Sequence, residues 1–160
     1  MEDSENTTAY PRAGLWRRLA ALLYDGFLVA AIWMLLGYIV QFIFGVDSNQ
    51  LVDGRVQTDP VQDVVLFTLM LGSAAGFYCY FWLRSGQTLG MLAWRLQVQN
   101  RQGGKLSLQQ ALLRFVLAWP AFLVAGLGYF WLYLDSNRDA LHDRLSGTKV
   151  VLVPRSHRPF

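Results

Sequence analysis

The sequence predicts an all-α membrane protein. Two clear transmembrane helices and a third apolar segment, kinked or re-entrant, form a small helical bundle with short cytoplasmic strand-like pieces. Three observations lead there. Of 160 residues 54% are apolar and only 16% charged, against about 25% charged in ordinary soluble domains. The charges gather in a few segments and leave long stretches almost bare. Three of those stretches reach the roughly 20 residues that a helix needs to cross the hydrocarbon core. The same shortage of charge excludes a disordered chain and a typical cytosolic enzyme.

The length allows one domain. Residues 1–13 read as a disordered or interfacial lead, 14–153 as the membrane domain and 154–160 as a tail. The first span covers residues 19–44, with Asp25 and Gln41 as its strongly polar members. It exceeds the roughly 7–15 apolar residues of a cleaved signal. Residues 45–63 follow as a polar loop carrying Asp47, Asp53, Asp59 and Asp63. The second span, 64–83, has no charge and holds Gly72-Ser-Ala-Ala-Gly76. Gly72 and Gly76 form a GxxxG pair, whose small residues let another helix approach closely.

Beyond residue 84 the pattern changes. Arg95-Leu-Gln-Val-Gln-Asn100 alternates, Arg101-Gln-Gly-Gly104 turns, and Lys105-Leu-Ser-Leu108 follows, which predicts a short β-hairpin. Thr148-Lys-Val-Val-Leu-Val153 is a second strand-like piece, expected to lie with the first outside the bilayer core, because open sheet edges cannot face lipid. The third apolar run, 115–134, contains Pro120, Gly126 and Gly128 as kink positions. Ser136-Asn-Arg-Asp139 resembles a capping box opening a short helix that Gly147 ends. There is no internal repeat of the kind that builds inverted-repeat transporters.

Lys and Arg number 14, and a single one, Arg55, lies in the aspartate-rich loop. The positive-inside rule therefore places the N-terminus and residues 84–114 in the cytoplasm and the aspartate loop outside. Five bases follow residue 134. A third segment that returns to its own side keeps them cytoplasmic, whereas a full crossing puts them outside against the rule. The net charge of +3 is not arranged as a nucleic-acid stripe, so no nucleic-acid partner is expected. The one cysteine, Cys79, lies in an apolar run and reads as a small hydrophobe.

Asp25 is the most informative residue. It sits about two helical turns, roughly 10 Å, beyond Arg18 and on the same face. An ionisable group at such a depth costs about 2.5–3.5 kcal/mol on insertion scales and faces a partner or a hydrated cavity. One reading makes Asp25 a proton or cation site whose pKa Arg18 sets. The other makes it part of a buried ion pair that fixes helix register, with Arg114 or Arg84 as further partners. Asp135, Asp139 and Asp143 recur every four residues, with His142 beside the last. His157 is the only other histidine, so no metal site and no cofactor are expected, and these carboxylates read as caps and arginine partners. No nucleophile–base arrangement or phosphate loop is present, and the chain is expected not to be an enzyme.

Several of these pieces together resemble the RDD family of small integral membrane proteins, named for one arginine and two aspartates. The resemblance lies in Arg17-Arg18-Leu-Ala-Ala-Leu-Leu-Tyr-Asp25, Gly86-Gln-Thr-Leu-Gly90, Arg95-Leu-Gln-Val98 and Gly103-Gly-Lys-Leu-Ser107. It continues through Arg114, Leu141-His-Asp143 and Gly147-Thr-Lys-Val-Val151. It implies that the family arginine is Arg18, with Arg17 as the alternative, and that the aspartates are Asp25 and Asp143. Arg17, Arg114 and His142 stand as auxiliary residues. Met91 departs from the pattern, since many relatives carry a lysine after Thr-Leu-Gly. The resemblance also implies transport of an unidentified ligand, with some members associated with sodium/proton antiport.

The leading expectation is thus a multi-pass protein of the cytoplasmic (inner) membrane, working as a homo-oligomer or with another membrane protein. Asp25 would then serve protons or monovalent cations. The alternative is a non-transporting accessory or scaffold protein with a structural Arg–Asp network.

Overall fold

The computed structural model describes residues 10–45, 49–123 and 140–154. In chain order these form α1 (Leu15–Phe44), β1 (Asn49–Val52), β2 (Arg55–Thr58), α2 (Pro60–Arg84), α3 (Leu89–Ala93), β3 (Leu96–Asn100), α4 (Leu108–Leu123), α5 (Leu141–Leu145) and β4 (Thr148–Leu152). They divide into two compact units, residues 25–77 on one hand and 1–24 with 78–160 on the other.

Two helices, α1 and α2, are long and apolar enough to cross a membrane. At 1.5 Å per residue, the 30 residues of α1 extend about 45 Å. Each helix is longer than the apolar run that predicts it. Backbone hydrogen bonding carries α1 back to Leu15 and α2 out to Pro60 and Arg84. Asp59 opens α2: its Oδ1 accepts the Val61 N–H at 2.7 Å, and Pro60 fills the first helical position, where its missing N–H costs nothing. Large apolar side chains cover the outside, with Phe42 89%, Tyr38 73% and Phe67 68% exposed. Such a surface suits lipid rather than water.

Within unit 25–77, polar side chains join the two helices. The Trp33 indole N–H donates to the Met70 carbonyl at 2.9 Å, and Gln62 Nε2 donates to Gln41 Oε1 at 3.1 Å. The segment read as a polar loop contains a hairpin instead. β1 pairs antiparallel with β2, Val52 opposite Arg55. Asp53 and Gly54 both take positive φ, 50° and 72°, the type I′ geometry that matches strand twist.

The other unit holds the second sheet. The hairpin expected across the Gly103–Gly104 turn does not form. β3 pairs antiparallel with β4, from Leu96 opposite Leu152 to Asn100 opposite Thr148. The pairing is one of burial: Leu96 and Val98 are each 1% exposed, Val98 lies opposite Val150, and Val150 and Val151 are 2% and 1% exposed, whereas Lys105 and Ser107 are exposed. Residues 11–13, read as part of an unstructured lead, run along the same strand. The Leu152 N–H donates to the Pro11 carbonyl at 2.8 Å and the Ala13 N–H to the Val150 carbonyl at 3.1 Å.

The apolar run expected at 115–134 is entered by a helix that begins earlier, at Leu108. A capping box sets that start: Ser107 Oγ accepts the Gln110 N–H at 3.2 Å, and Gln110 Oε1 accepts the Ser107 N–H at 3.0 Å. Pro120 lies inside α4. The later part of the run, with Gly126 and Gly128, and the Ser136–Asp139 capping box lie outside the described residues. Described structure resumes at Ala140, and Gly147 (φ 65°) follows α5.

Candidate functional site

Four elements of unit 1–24 with 78–160 converge on one carboxylate. Arg18 comes from the first turn of α1, Arg114 from α4, Asp143 from α5 and Thr148 from the first residue of β4. Ala111, Arg114 and Phe115 form the buried stripe of α4, so the 3.6-residue period carries Arg114 inward. Asp143 is fully buried, and Arg18 and Arg114 are 6% and 5% exposed.

The carboxylate is shared between the two arginines. Arg18 Nη1 donates to Asp143 Oδ2, and Arg114 Nη1 donates to Asp143 Oδ1. The Ala140 N–H adds a third hydrogen bond, to Oδ2 at 3.2 Å, so Asp143 also caps its own helix. Arg18 Nε donates to the Ala13 carbonyl at 3.1 Å. Arg114 Nη1 reaches Thr148 Oγ1 at 2.7 Å. From there the bonds run on: Thr148 Oγ1 lies 2.9 Å from Ser146 Oγ, which donates to the His142 carbonyl at 2.6 Å. With Ser146's single proton used on that carbonyl, the Thr148 hydroxyl donates to Ser146.

Aromatic rings close the site. The Arg114 guanidinium stands 5.1 Å from the Trp82 ring centroid, a cation–π arrangement. Behind it, Trp82, Tyr78, Phe115 and Trp119 form successive ring contacts at 5.3, 6.2 and 6.1 Å.

Electrostatics follow from this geometry. Burial raises the Asp143 pKa, but Arg114 and Arg18 outweigh it and hold the carboxyl well below the usual carboxylate range. Burial lowers His142 to about 4, with Asp143 opposing and both arginines reinforcing the shift. At pH 7 the histidine is therefore neutral. The cluster of Arg18, Arg114 and Asp143 then carries two positive charges against one negative. Among the described residues, Arg18 Nη2 and Arg114 Nε have no hydrogen-bond partner.

The structure thus gives Arg18 to Asp143, where the sequence joined it to Asp25. Arg17 is half-buried, and Arg114 shares the Asp143 carboxylate with Arg18. Arg84 lies exposed, with Nη1 donating to the Tyr80 hydroxyl at 3.2 Å. Asp25 is 2% exposed on α1 and is itself engaged by at least one interaction. Thr148, Ser146 and Trp82 were not anticipated. Among the described residues no group of three or more His, Cys, Asp or Glu side chains could hold a metal ion.

The Gly86–Gly90 motif is also accounted for locally. Gly86 has φ 72°, and a Cβ there would meet the Val98 carbonyl oxygen at 2.6 Å. Gln87 Nε2 donates to the Leu96 carbonyl at 2.6 Å, and Thr88 Oγ1 caps α3 by accepting the Met91 N–H at 3.2 Å. These residues brace β3 from the end of α2.

A family model described as the RDD family matches residues 12–147. The chain belongs to the RDD family. Both Arg18 and Asp143, which bond across 125 positions, fall within the matched range of this RDD chain. An uncharacterized protein of Rickettsia prowazekii (strain Madrid E) is 26% identical over 90 residues, which are 56% of this chain and 50% of that protein. The RDD chain therefore spans about half the length of that relative. No solved structure matches it.

Proposed function

We propose that this RDD protein is a non-transporting membrane accessory or scaffold protein, in which the Arg–Asp network locks the base of α1 to α4, α5 and β4. One observation carries the reading: Asp143, with no exposed surface, binds Arg18 and Arg114 together. A carboxylate held in its charged form by two guanidiniums cannot readily exchange a proton, and a pair buried this deeply acts through structure. The partners are the lipid bilayer and a second copy or another membrane protein.

A second reading, ion-coupled transport, is favoured by Asp25, a carboxylate 2% exposed within a helix long enough to span the membrane. In that reading Asp25 exchanges protons or monovalent cations.

Purified wild type and Asp25→Asn, compared for ion flux in proteoliposomes and for melting temperature, separate the two. A folded wild type without flux over sodium, potassium and proton gradients supports the scaffold. Flux from wild type that disappears in a well-folded Asp25→Asn overturns it in favour of transport.

A further inference from the structure

Unit 1–24 with 78–160 carries Lys or Arg at ten of its described positions and one carboxylate, Asp143, which is buried and committed to Arg18 and Arg114. Strand pairing draws part of the remaining charge together at one end of the second sheet. Lys149 stands opposite Gln99 in the register, and its Nζ donates to the Arg101 carbonyl at 3.2 Å. Arg101 extends the other way, with Nη2 donating to the Arg144 carbonyl at 3.1 Å. Lys105 leaves the same turn, which Asn100 closes by donating from Nδ2 to the Lys105 carbonyl at 3.1 Å. Arg101 and Lys105 are exposed and Lys149 half-buried. Among the described residues their side-chain hydrogen bonds, where present, go to backbone carbonyls, which leave the charge uncompensated.

Apolar side chains on the adjoining helices are bare as well. Leu145 on α5 is 56% exposed and Leu108 on α4 is 57% exposed. Clustered cations beside exposed leucines match the bilayer interface, where phosphates lie next to acyl chains.

We propose that Arg101, Lys105 and Lys149 form a docking surface for the phosphate headgroups of anionic phospholipids. The surface holds this unit against the same membrane that α1 and α2 cross. It is separate from the Arg18–Arg114–Asp143 network, and its charge is assembled only when β4 joins β3.

The test titrates phosphatidylglycerol or phosphatidylcholine into the full chain in a neutral detergent and counts retained lipid by native mass spectrometry. Wild type should retain phosphatidylglycerol in preference, and more weakly as salt is raised. Each of Arg101→Gln, Lys105→Gln and Lys149→Gln should weaken that retention by about fivefold, the effect of one base near an anionic surface. Arg55→Gln, which removes one charge from the β1–β2 hairpin, should leave it unchanged. All three tip residues have solvent access, so melting temperatures should stay near wild type; equal retention by wild type and a folded triple variant overturns the proposal. So does an equal loss from Arg55→Gln, which would reduce the effect to net charge. Displacement of the lipid by inorganic phosphate at equal concentration overturns it in favour of a small-anion site. Tip-dependent retention of a single-stranded oligonucleotide, with indifference to phosphatidylglycerol, overturns it in favour of nucleic acid.

Discussion

Arg18 and Asp143 lie 125 residues apart and share a buried hydrogen bond, with Arg114 on the carboxylate's other oxygen. The arrangement ties the first helix to the last described strand region through one side chain. Removing Asp143 leaves two buried guanidiniums facing each other. Removing Arg18 still leaves Asp143 with Arg114. Asp143→Asn should therefore cost about 3–5 kcal/mol and Arg18→Gln distinctly less. The double variant should recover part of the Asp143→Asn loss, with a coupling of about 0.5–3 kcal/mol. Thermal or denaturant unfolding in detergent measures all three, and additive losses would show that the two residues act independently.

His142 sets a pH dependence that can be separated from the carboxylates. Its folded pKa is lowered to about 4, below the unfolded value of about 6.5. The unfolded chain therefore binds the proton first. Stability from this residue is complete above about pH 6.5 and is lost as pH falls to about 4, by about 3 kcal/mol. Asp143 acts below that window: its folded value is lower still, so its contribution is full above about pH 4 and falls away on further acidification. Melting temperature should decline between pH 6.5 and 4 in wild type and stay flat there in His142→Gln. An identical decline in both proteins would remove His142 from the account.

Gly86 should be intolerant where other glycines are not. Alanine at residue 86 faces both a φ of 72° and a Val98 carbonyl oxygen 2.6 Å from its Cβ, so the chain must shift at β3. The left-handed conformation alone costs about 1–2 kcal/mol. Gly37 lies in α1 with nothing within 4 Å of a built Cβ, and Gly37→Ala should melt at or above the wild-type temperature. Equal melting of the two variants would show that the Gly86 backbone relaxes freely.

How much of this was readable beforehand differs by element. The two long helices were, because a span of apolar residues is a local property of the sequence. The β1–β2 hairpin was legible in Asp53-Gly54, a strong two-residue turn signal masked by the surrounding aspartates. The start of α4 was legible in Ser107 and Gln110, three apart. Pairing of β3 with β4 was not, since Lys105-Leu-Ser-Leu108 offers the nearer partner and only burial of Leu96 and Val98 decides against it. At the site, Arg18, Arg114 and Asp143 stood out as charges in or beside apolar sequence. Which arginine binds which aspartate depends on tertiary contact, and spacing along α1 pointed to Asp25 alone.

The GxxxG pair predicts assembly. Among the described residues a Cβ built on Gly72 or Gly76 meets nothing within 4 Å, which leaves room there for a second helix to approach. Gly76→Ile should weaken self-association in lipid, because a branched side chain holds two backbones apart. Cross-linking or analytical ultracentrifugation that finds the same oligomer would assign this face to lipid or to a different partner.

The last prediction concerns the side on which the chain re-emerges. Asn100 and Thr148 are paired in one antiparallel sheet, and a two-stranded sheet with open edges has to lie outside the hydrocarbon core. Both strands therefore occupy the same side of the membrane. Residue 102 and the chain after β4 should thus be accessible from the same side. A single net crossing between β3 and β4 is incompatible with their pairing. The expected face follows from charge: residues 84–114 carry five bases and the loop before α2 carries only Arg55, so the positive-inside rule predicts a cytoplasmic sheet. Gln102→Cys and Pro154→Cys, each in a Cys79→Ala background, should resist an impermeant thiol reagent applied to intact cells and react after permeabilisation. Exposure of Pro154→Cys alone to the external reagent would mean that the third apolar segment crosses once. Exposure of both would keep the sheet and reverse the orientation.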